Sequence, residues 1–443
     1  MEKFLFKKIE IWILLLVVVF LLIFTIFFGS LVLRSEIARN IALIPDNIKT
    51  IISGSDLSQV NRFGNKSGLI IYDKDFNYEK KYLLLSRYDG DLERSLVELI
   101  NLNTGEIVHT WKPDIDILIN NLKKNDSIQF KRYLNKKRYL IKFPYLTSDG
   151  DLYVKNHYTP LVKINICSKF LKLIDKAAHH TIEPDETGIW FPTTNFNSKN
   201  NPGLDLKVNA ERFLFYDDGI TKIDFEDNIV FDKSIIEILV ENNLSHLIFS
   251  GKQSTYDPLH LNDVQPVLID GEYFKKGDLF LSFRNNSTVM LYRPSVNKIL
   301  WYKQFPWEFQ HDVDVLDSNR ISIYNNNRLI NNFDKTIKNN NLIIYNFSTD
   351  NYEYFQNDIF KEYDIRTITM GAADIFKDES LFVMEHNYGR LLMFDKDKNL
   401  LWEYINKSKK DNTSYMTNGS RLINFNKKKF EEKLKENNFC NIQ

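Results

Sequence analysis

Three histidines fall at comparable places in this chain. His180 opens the stretch HTIEPDETGIW, His260 opens HLNDVQPVLIDGEYFKKGDLF, and His311 opens HDVDVLDSNRI. Each precedes a hydrophobic run, led by Ile189, Leu279 and Ile321 in turn. The matching place in the next unit holds Met370 and Gly371. A second register recurs five residues after a leading hydrophobic: His157 after Leu152, Thr194 after Ile189, Arg284 after Leu279 and His386 after Leu381. Imidazole can act as nucleophile or proton carrier near neutral pH, and the arginine fork recognises oxyanions. Their convergence points to an anionic substrate.

A metal site is the rival chemistry. The histidines lack the close pairs that metal sites often use, and Arg284 would oppose a dication. Neither a metal nor a cofactor is expected. Asp263 and Asp312 lie close to two of the histidines and could orient an imidazole or close a turn. His179 should face away from His180 along a strand and is a second choice. His386 fits a channel or an exposed strand face equally. His109, His157 and His246 carry no supporting pattern. The chain has no GxSxG, Walker loop, GxGxxG or CxxC, which disfavours serine hydrolases, nucleotide-dependent transferases and dithiol redox enzymes.

Such residues need a scaffold that repeats. Beyond residue 66 the chain is a succession of short Val/Ile/Leu/Phe/Tyr runs broken by Asp, Asn and Gly turns, which predicts an all-β fold. Only Asp114–Lys124 and Phe430–Glu436 have helical spacing. LFLSFRNNSTVMLYRPSVNKILWYK from Leu279 overlays LFVMEHNYGRLLMFDKDKNLLWEYI from Leu381, each ending in a strand with a tryptophan, Trp301 or Trp402. Leu83 to Trp111 is a longer version, and Leu152 to Ile174 one without the tryptophan. Strand-rich units of about 40–50 residues in series predict a β-propeller, and about six blades fit residues 66–430. Equivalent positions in a propeller share height and radius, so His180, His260, His311 and Arg284 would meet at one end of the channel.

The chain has 443 residues, with 58 basic and 58 acidic side chains, so no global charge recruits nucleic acid. Its two cysteines, Cys167 and Cys440, are too few for a disulfide framework or a zinc site; they could form a single bridge. Ile11 to Leu33 is 23 residues without a charge, enough to span a hydrocarbon core of about 30 Å. It is longer than the apolar region of a cleaved signal, about 7–15 residues. Lys3, Lys7 and Lys8 flank its start and place the N-terminus inside. The expected organisation is a cytoplasmic 1–10, an anchor at 11–33, a linker at 34–65, the propeller, and a tail at 431–443. That makes a single-pass protein of the bacterial inner membrane with its body in the periplasm or outside.

DPLHLNDVQPV (Asp257–Val267), GDLFLSFRNNSTVMLY (Gly277–Tyr292), PWEFQHDVDVLDSNRISIYNNN (Pro306–Asn327) and HHTIEPDETGIW (His179–Trp190) together resemble the arylsulfotransferase family over roughly residues 145–425. The resemblance implies a six-bladed propeller and transfer of a sulfuryl group from a phenolic sulfate ester to a phenol, without the nucleotide donor PAPS. It implies ping-pong chemistry through a sulfohistidine, with His311 as nucleophile. His260, Asn262 and Arg284 would bind sulfate oxygens, and His180 would carry the phenol's proton. His179, Thr194 and His386 complete the expected substrate-binding set. The apparent anchor and the short leader before the blades depart from that family, whose enzymes are typically secreted with a cleaved signal and a separate N-terminal β domain. Two other functions suit the same residues: a non-catalytic propeller binding a protein or an anionic glycan, and a sulfate ester hydrolase with water as acceptor.

Overall fold

The computed structural model describes residues 11–34, 58–59, 62–122, 136–195, 207–208, 211–212, 216–248, 250, 257–328, 338–410, 412–436 and 440. The expected cytoplasmic segment 1–10 and most of the 34–65 linker lie outside these residues. The chain divides into two compact units, residues 1–58 and 59–443.

In the first unit, Ile11–Arg34 forms an α-helix of 24 residues. Its large apolar side chains from Trp12 to Phe27 are exposed on all faces, and the Thr25 hydroxyl donates back to the Leu21 carbonyl at 2.7 Å. Side chains are described only for residues 12–28, and among the described residues no helix is long and apolar enough to cross a membrane. The expected anchor at 11–33 is not shown by this helix.

The second unit is all-β and propeller-like. Four sheets have the four or five antiparallel strands of a single blade. One contains Leu261–Pro266, Leu279–Phe283, Thr288–Arg293 and Lys298–Lys303; the next His311–Val315, Arg320–Asn325, Asn341–Asn346 and Asn351–Phe355. A third runs Ala372–Ile375, Leu381–Glu385, Arg390–Phe394 and Leu400–Ile405, with Gly68–Ile71 added at its edge. In the fourth, Arg421–Ile423 from the end of the chain pairs with Tyr82–Asp89, followed by Arg94–Asn101 and Ile107–Trp111. The remaining large sheet has eight strands. The sequence predicts six separate blades, and hydrogen bonding does not divide the sheets that way. The reason is local: Thr193 pairs with Ala178, which carries one ladder from Phe170–Ala178 into Gly188–Asn195.

The burial pattern explains why these runs form these strands. Leu279–Phe283 (LFLSF) and Leu381–Glu385 (LFVME) are buried at every position, as expected for strands covered by neighbouring sheets on both faces. The outer strand Lys298–Lys303 alternates exposed and half-buried residues, the period of a pleat with one wet face. Helix Ile115–Leu122, within the expected Asp114–Lys124, buries Ile115, Leu118, Ile119 and Leu122 against a core holding Trp111. The Asp114 carboxylate caps it, accepting from the Asp116 and Ile117 amides at 2.9 and 3.2 Å. The C-terminal helix begins at Lys427 rather than Phe430, because Asn426 accepts from the Lys429 amide at 3.1 Å and adds a cap before the apolar spacing starts. Cys167 and Cys440 are joined as a disulfide across 273 residues.

Candidate active site

Strand pairing gives the inner strands a common ruler. Tyr145, Glu183, Gln265, Asp314, Asp374 and Arg421 each lie opposite the residue that follows a leading hydrophobic. All six line one cavity of about 310 Å³. Three residues earlier along the same strands come Lys142, His180, Asn262, His311, Gly371 and Asn418. His180 and His311 share this layer as the sequence predicts, but His260 does not. It sits two residues further out, beyond a bulge between Leu261 and Asp263.

The rings nevertheless meet. His180 lies 4.9 Å from His260 and 6.3 Å from His311 between centroids, and His157 lies 4.6 Å from His180. His180 and His260 have φ of 50° and 58°, and Met370 has 66°. Such left-handed backbone costs about 1–3 kcal/mol per residue and persists only where the surroundings over-determine it.

The tautomer of His311 follows from its partner. The Asn326 amide nitrogen donates to the Thr367 and Met370 carbonyls at 3.0 and 2.8 Å, so its oxygen faces the ring. His311 Nδ1–H then donates to that oxygen at 2.6 Å. Nε2 keeps its lone pair, which accepts a long 3.2 Å hydrogen bond from the Met370 amide. Burial first, and the charge of Arg284 second, push His311 well below the ordinary imidazole value. It is a neutral ring with a usable lone pair.

Arg284 projects beside it. One nitrogen donates to the Asn285 side chain at 2.9 Å, the guanidinium stacks over Phe309 at 5.1 Å, and Nε is buried without a partner. Burial, then Arg328, pushes Arg284 down to about 10, so it stays charged with a donor to spare. His260 Nδ1 is hydrogen-bonded to Asp257, and its side chain is 17% exposed, against 5% exposure for His180 and His311 as whole residues. Asn262 donates to the Gln310 carbonyl at 2.7 Å, immediately before His311, while its own oxygen is buried and unpaired.

The expected substrate-binding residues divide into two groups. His386 accepts from the Gly371 amide at 2.9 Å through Nδ1, which leaves Nε2 buried and unpartnered; burial pushes it down to about 3. Gly371 has φ +108°, and a Cβ there would stand 2.4 Å from the Tyr324 ring. Thr194 and His179 turn instead toward Asp218. The Thr194 hydroxyl donates to it at 3.2 Å and His179 Nε2 lies 3.6 Å away. His179 is not pointed away from His180 as strand alternation predicts, because the turn brings the two Nδ1 atoms to 2.7 Å.

Asp263 and Asp312 were candidates to orient an imidazole or close a turn; both instead tie one sheet to the next. Asp263 accepts from the Val313 amide at 2.8 Å and Asp312 from Ala373 at 2.9 Å. Asp218 does the same for Leu261 at 2.7 Å. Further along the channel, Asp312, Asp314 and Asp374 bring carboxylate oxygens within 4.8 Å of one another. Burial, then neighbouring carboxylates, push Asp312 and Asp314 well above the usual range. Burial also raises Asp374, against Lys80 and Arg421.

Sequence reasoning missed Asn326 and Lys142. Asn326 was within reach of it, since it lies five residues after Ile321, in the register of Arg284 and His386. Lys142 gave no signal: it precedes a two-residue strand, Tyr145–Leu146.

A family profile for arylsulfotransferase (ASST) matches residues 153–407, more than half of the chain. The class defined by these sheets and histidines is thus a sulfotransferase-type propeller. The chain belongs to the arylsulfotransferase family. No curated protein matches it. Among solved structures, a protein of unknown function from Bacteroides caccae is 10% identical, covering 76% of this chain and 97% of that one at a TM-score of 0.46. Hydrazine synthase of Kuenenia stuttgartiensis is 11% identical over 74% of this chain and 80% of that one, at 0.39. TolB from Acinetobacter baumannii is 9% identical over 87% and 72%, at 0.40. Likenesses this distant carry no argument.

Proposed function

We propose that this protein transfers a sulfuryl group from a phenolic sulfate ester to a phenol, without PAPS, by a ping-pong reaction through a sulfohistidine on His311. The observation that carries this is the meeting of His180, His260 and His311 beside the unpaired Nε of Arg284. A sulfate monoester resists attack in water because its oxygens repel a nucleophile. Arg284 and the donors of His260 and Asn262 neutralise charge on the transferring group, and preorganised donors of this kind act strongly in a dry site. His311 Nε2 leaves its long bond to Met370 and attacks sulfur, and the phenolate departs. A phenol then takes the sulfuryl group, with His180 receiving its proton. Burial, and then the neighbouring histidines, hold His180 well below the ordinary value, so the ring is neutral and able to accept that proton. His386 contacts the substrate through Nε2, while Thr194 and His179 position the site through Asp218.

The same reading takes residues 66–430 as six blades, the eight-stranded sheet being two blades joined at Thr193 and Ala178. It takes Ile11–Leu33 as a membrane anchor with the body in the periplasm. The Cys167–Cys440 disulfide supports that side, since such bonds persist in oxidising compartments.

The test uses full-length protein in mild detergent with nitrophenyl sulfate, with and without added phenol. We expect sustained nitrophenol release and phenyl sulfate only when phenol is present. Without acceptor, one sulfuryl group should remain on the peptide containing Gln310–Asp312, and His311→Asn should neither label nor turn over. Sustained release without phenol would make the protein a hydrolase. No release under either condition would leave a binding propeller.

A further inference from the structure

The reaction above leaves two buried lysines without a role: Lys155 donates to the His180 and Lys142 carbonyls, whereas the Lys142 ammonium meets a sulfur. Lys142 is 9% exposed, and its ammonium donates to the Met370 sulfur at 3.6 Å. Among the described residues no carboxylate pairs with it. A charge buried without a counter-ion costs several kcal/mol, so a lysine kept in this state needs an anion or a proton to handle.

Its position supplies one. Lys142 occupies the channel layer of His180, Asn262 and His311, three residues ahead of the ring formed by Tyr145 and its equivalents. Going around that ring, the inner strands follow the order Tyr145–Leu146, Glu183–Pro184, Leu261–Pro266, His311–Val315, Ala372–Ile375 and Arg421–Ile423. The strands of Lys142 and His311 are three apart in either direction, on opposite sides of the channel. Met370 spans the gap: its amide donates to His311 Nε2 at 3.2 Å and its sulfur meets the Lys142 ammonium. A sulfuryl group attacked by Nε2 must expel its aryl oxygen away from His311 and toward the lysine side. His157, His180 and His386 are poor donors there, because burial first, then neighbouring cationic groups, hold them below the ordinary imidazole value.

We propose that Lys142 is a catalytic residue of the sulfotransfer proposed above, giving its proton to the departing phenolate oxygen. The inference rests on that function. In the first half-reaction the bond from sulfur to the aryl oxygen breaks, with its electron pair left on oxygen, and the bond from His311 Nε2 to sulfur forms. A proton passes from Lys142 Nζ to that oxygen, leaving a neutral amine. In the second half-reaction the incoming phenol attacks sulfur, the bond from nitrogen to sulfur breaks, and the phenol's proton goes to His180. The amine regains its proton from His180 or solvent before the next donor is bound. Burial brings the Lys142 ammonium down to about 8, so it is still protonated at neutral pH and releases its proton more readily than a surface lysine.

The experiment compares Lys142→Met with wild type in full-length protein on two donors, nitrophenyl sulfate and unsubstituted phenyl sulfate. Nitrophenolate leaves without help, whereas phenolate needs an acid. We expect the variant to lose about 100-fold or more in turnover on phenyl sulfate and less than about 10-fold on nitrophenyl sulfate. Its melting temperature should be unchanged or higher, because an unpaired buried charge is gone. Equal losses on both donors, or no loss on either, would overturn the role. Should Lys142→Met fail to fold, Lys142→Gln is read by the same ratio. An inactive wild type defeats the sulfotransferase function itself, whereas an active wild type with an indifferent variant defeats only the lysine.

Discussion

Arg284 and Asn326 act on the same ring in different ways, and substitutions can separate them. Arg284→Lys keeps the charge but loses the fork and its stacking on Phe309, and lysine cannot reproduce bidentate geometry. We expect a fall of about 100- to 1000-fold in kcat/KM, the scale for one lost oxyanion donor, with an unchanged melting temperature. Wild-type turnover would place Arg284 outside the reaction. Asn326→Ala removes the acceptor that sets the His311 tautomer and takes its donor from the Met370 carbonyl, while the Thr367 carbonyl keeps the Asn340 amide at 3.2 Å. That variant should lose both turnover and about 1–3 kcal/mol of stability, measured by urea unfolding beside the sulfotransfer assay. Loss of stability with full activity would make Asn326 a structural residue only.

At the scale of elements, what holds His180 and His311 at one height is the set of carboxylate ties between neighbouring inner strands. Asp263 is the central one, accepting from the Thr181 hydroxyl on one side and the Val313 amide on the other, each at 2.8 Å. Asp263→Ala orphans a buried amide two residues from His311. We expect a cost of about 1–3 kcal/mol together with loss of the sulfohistidine label, because the His311 strand is no longer tied. A variant with lowered stability that still labels fully would show that the ladder alone sets the height of His311.

For the molecule as a whole, buried imidazoles set the response to acid. His157, His180 and His311 are held well below the ordinary value and His386 at about 3, while the unfolded chain titrates near about 6.5. Protons therefore bind the unfolded state first as pH falls. The stability these rings contribute is whole above about 6.5 and is lost on the way down toward their folded values. Asp217 and Asp263, raised by burial to about 7, work in the opposite direction, since their protonated form favours the fold at low pH. A single substitution isolates one ring: in His386→Asn, stability against pH between about 6 and 4 should be shallower than wild type by about 1.4 kcal/mol per pH unit, one proton's worth. Parallel curves would mean that His386 is charged in the folded protein. The same scale holds the topology prediction. Protease added to spheroplasts should degrade the body, and the protein should keep its N-terminus; an intact body would put it on the cytoplasmic side.

The all-β class, the tryptophan-ended units and the grouping of His180, His311 and Arg284 were legible in the chain, because strand periodicity and a repeat are local properties carried by successive residues. Helix 115–122 was legible for the same reason, its apolar spacing and Asp114 cap lying within a few residues. Register was not: His260 stands five residues ahead of Gln265, whereas His180 and His311 stand three ahead of Glu183 and Asp314, and which strand positions share a layer is settled only by the pairing. Nor was the division of sheets, which one pairing of Thr193 with Ala178 alters. The pairing of Cys167 with Cys440 was open in the sequence because nothing local joins positions 273 residues apart. The partners of His311 also come from afar: Met370 lies 59 residues on and contributes only its amide, which any residue but proline offers. Local chemistry determines which residues can react and which segments can be strands. The tertiary structure alone decides which of them face one another, because backbone groups and buried charges acquire their meaning only from what is packed against them.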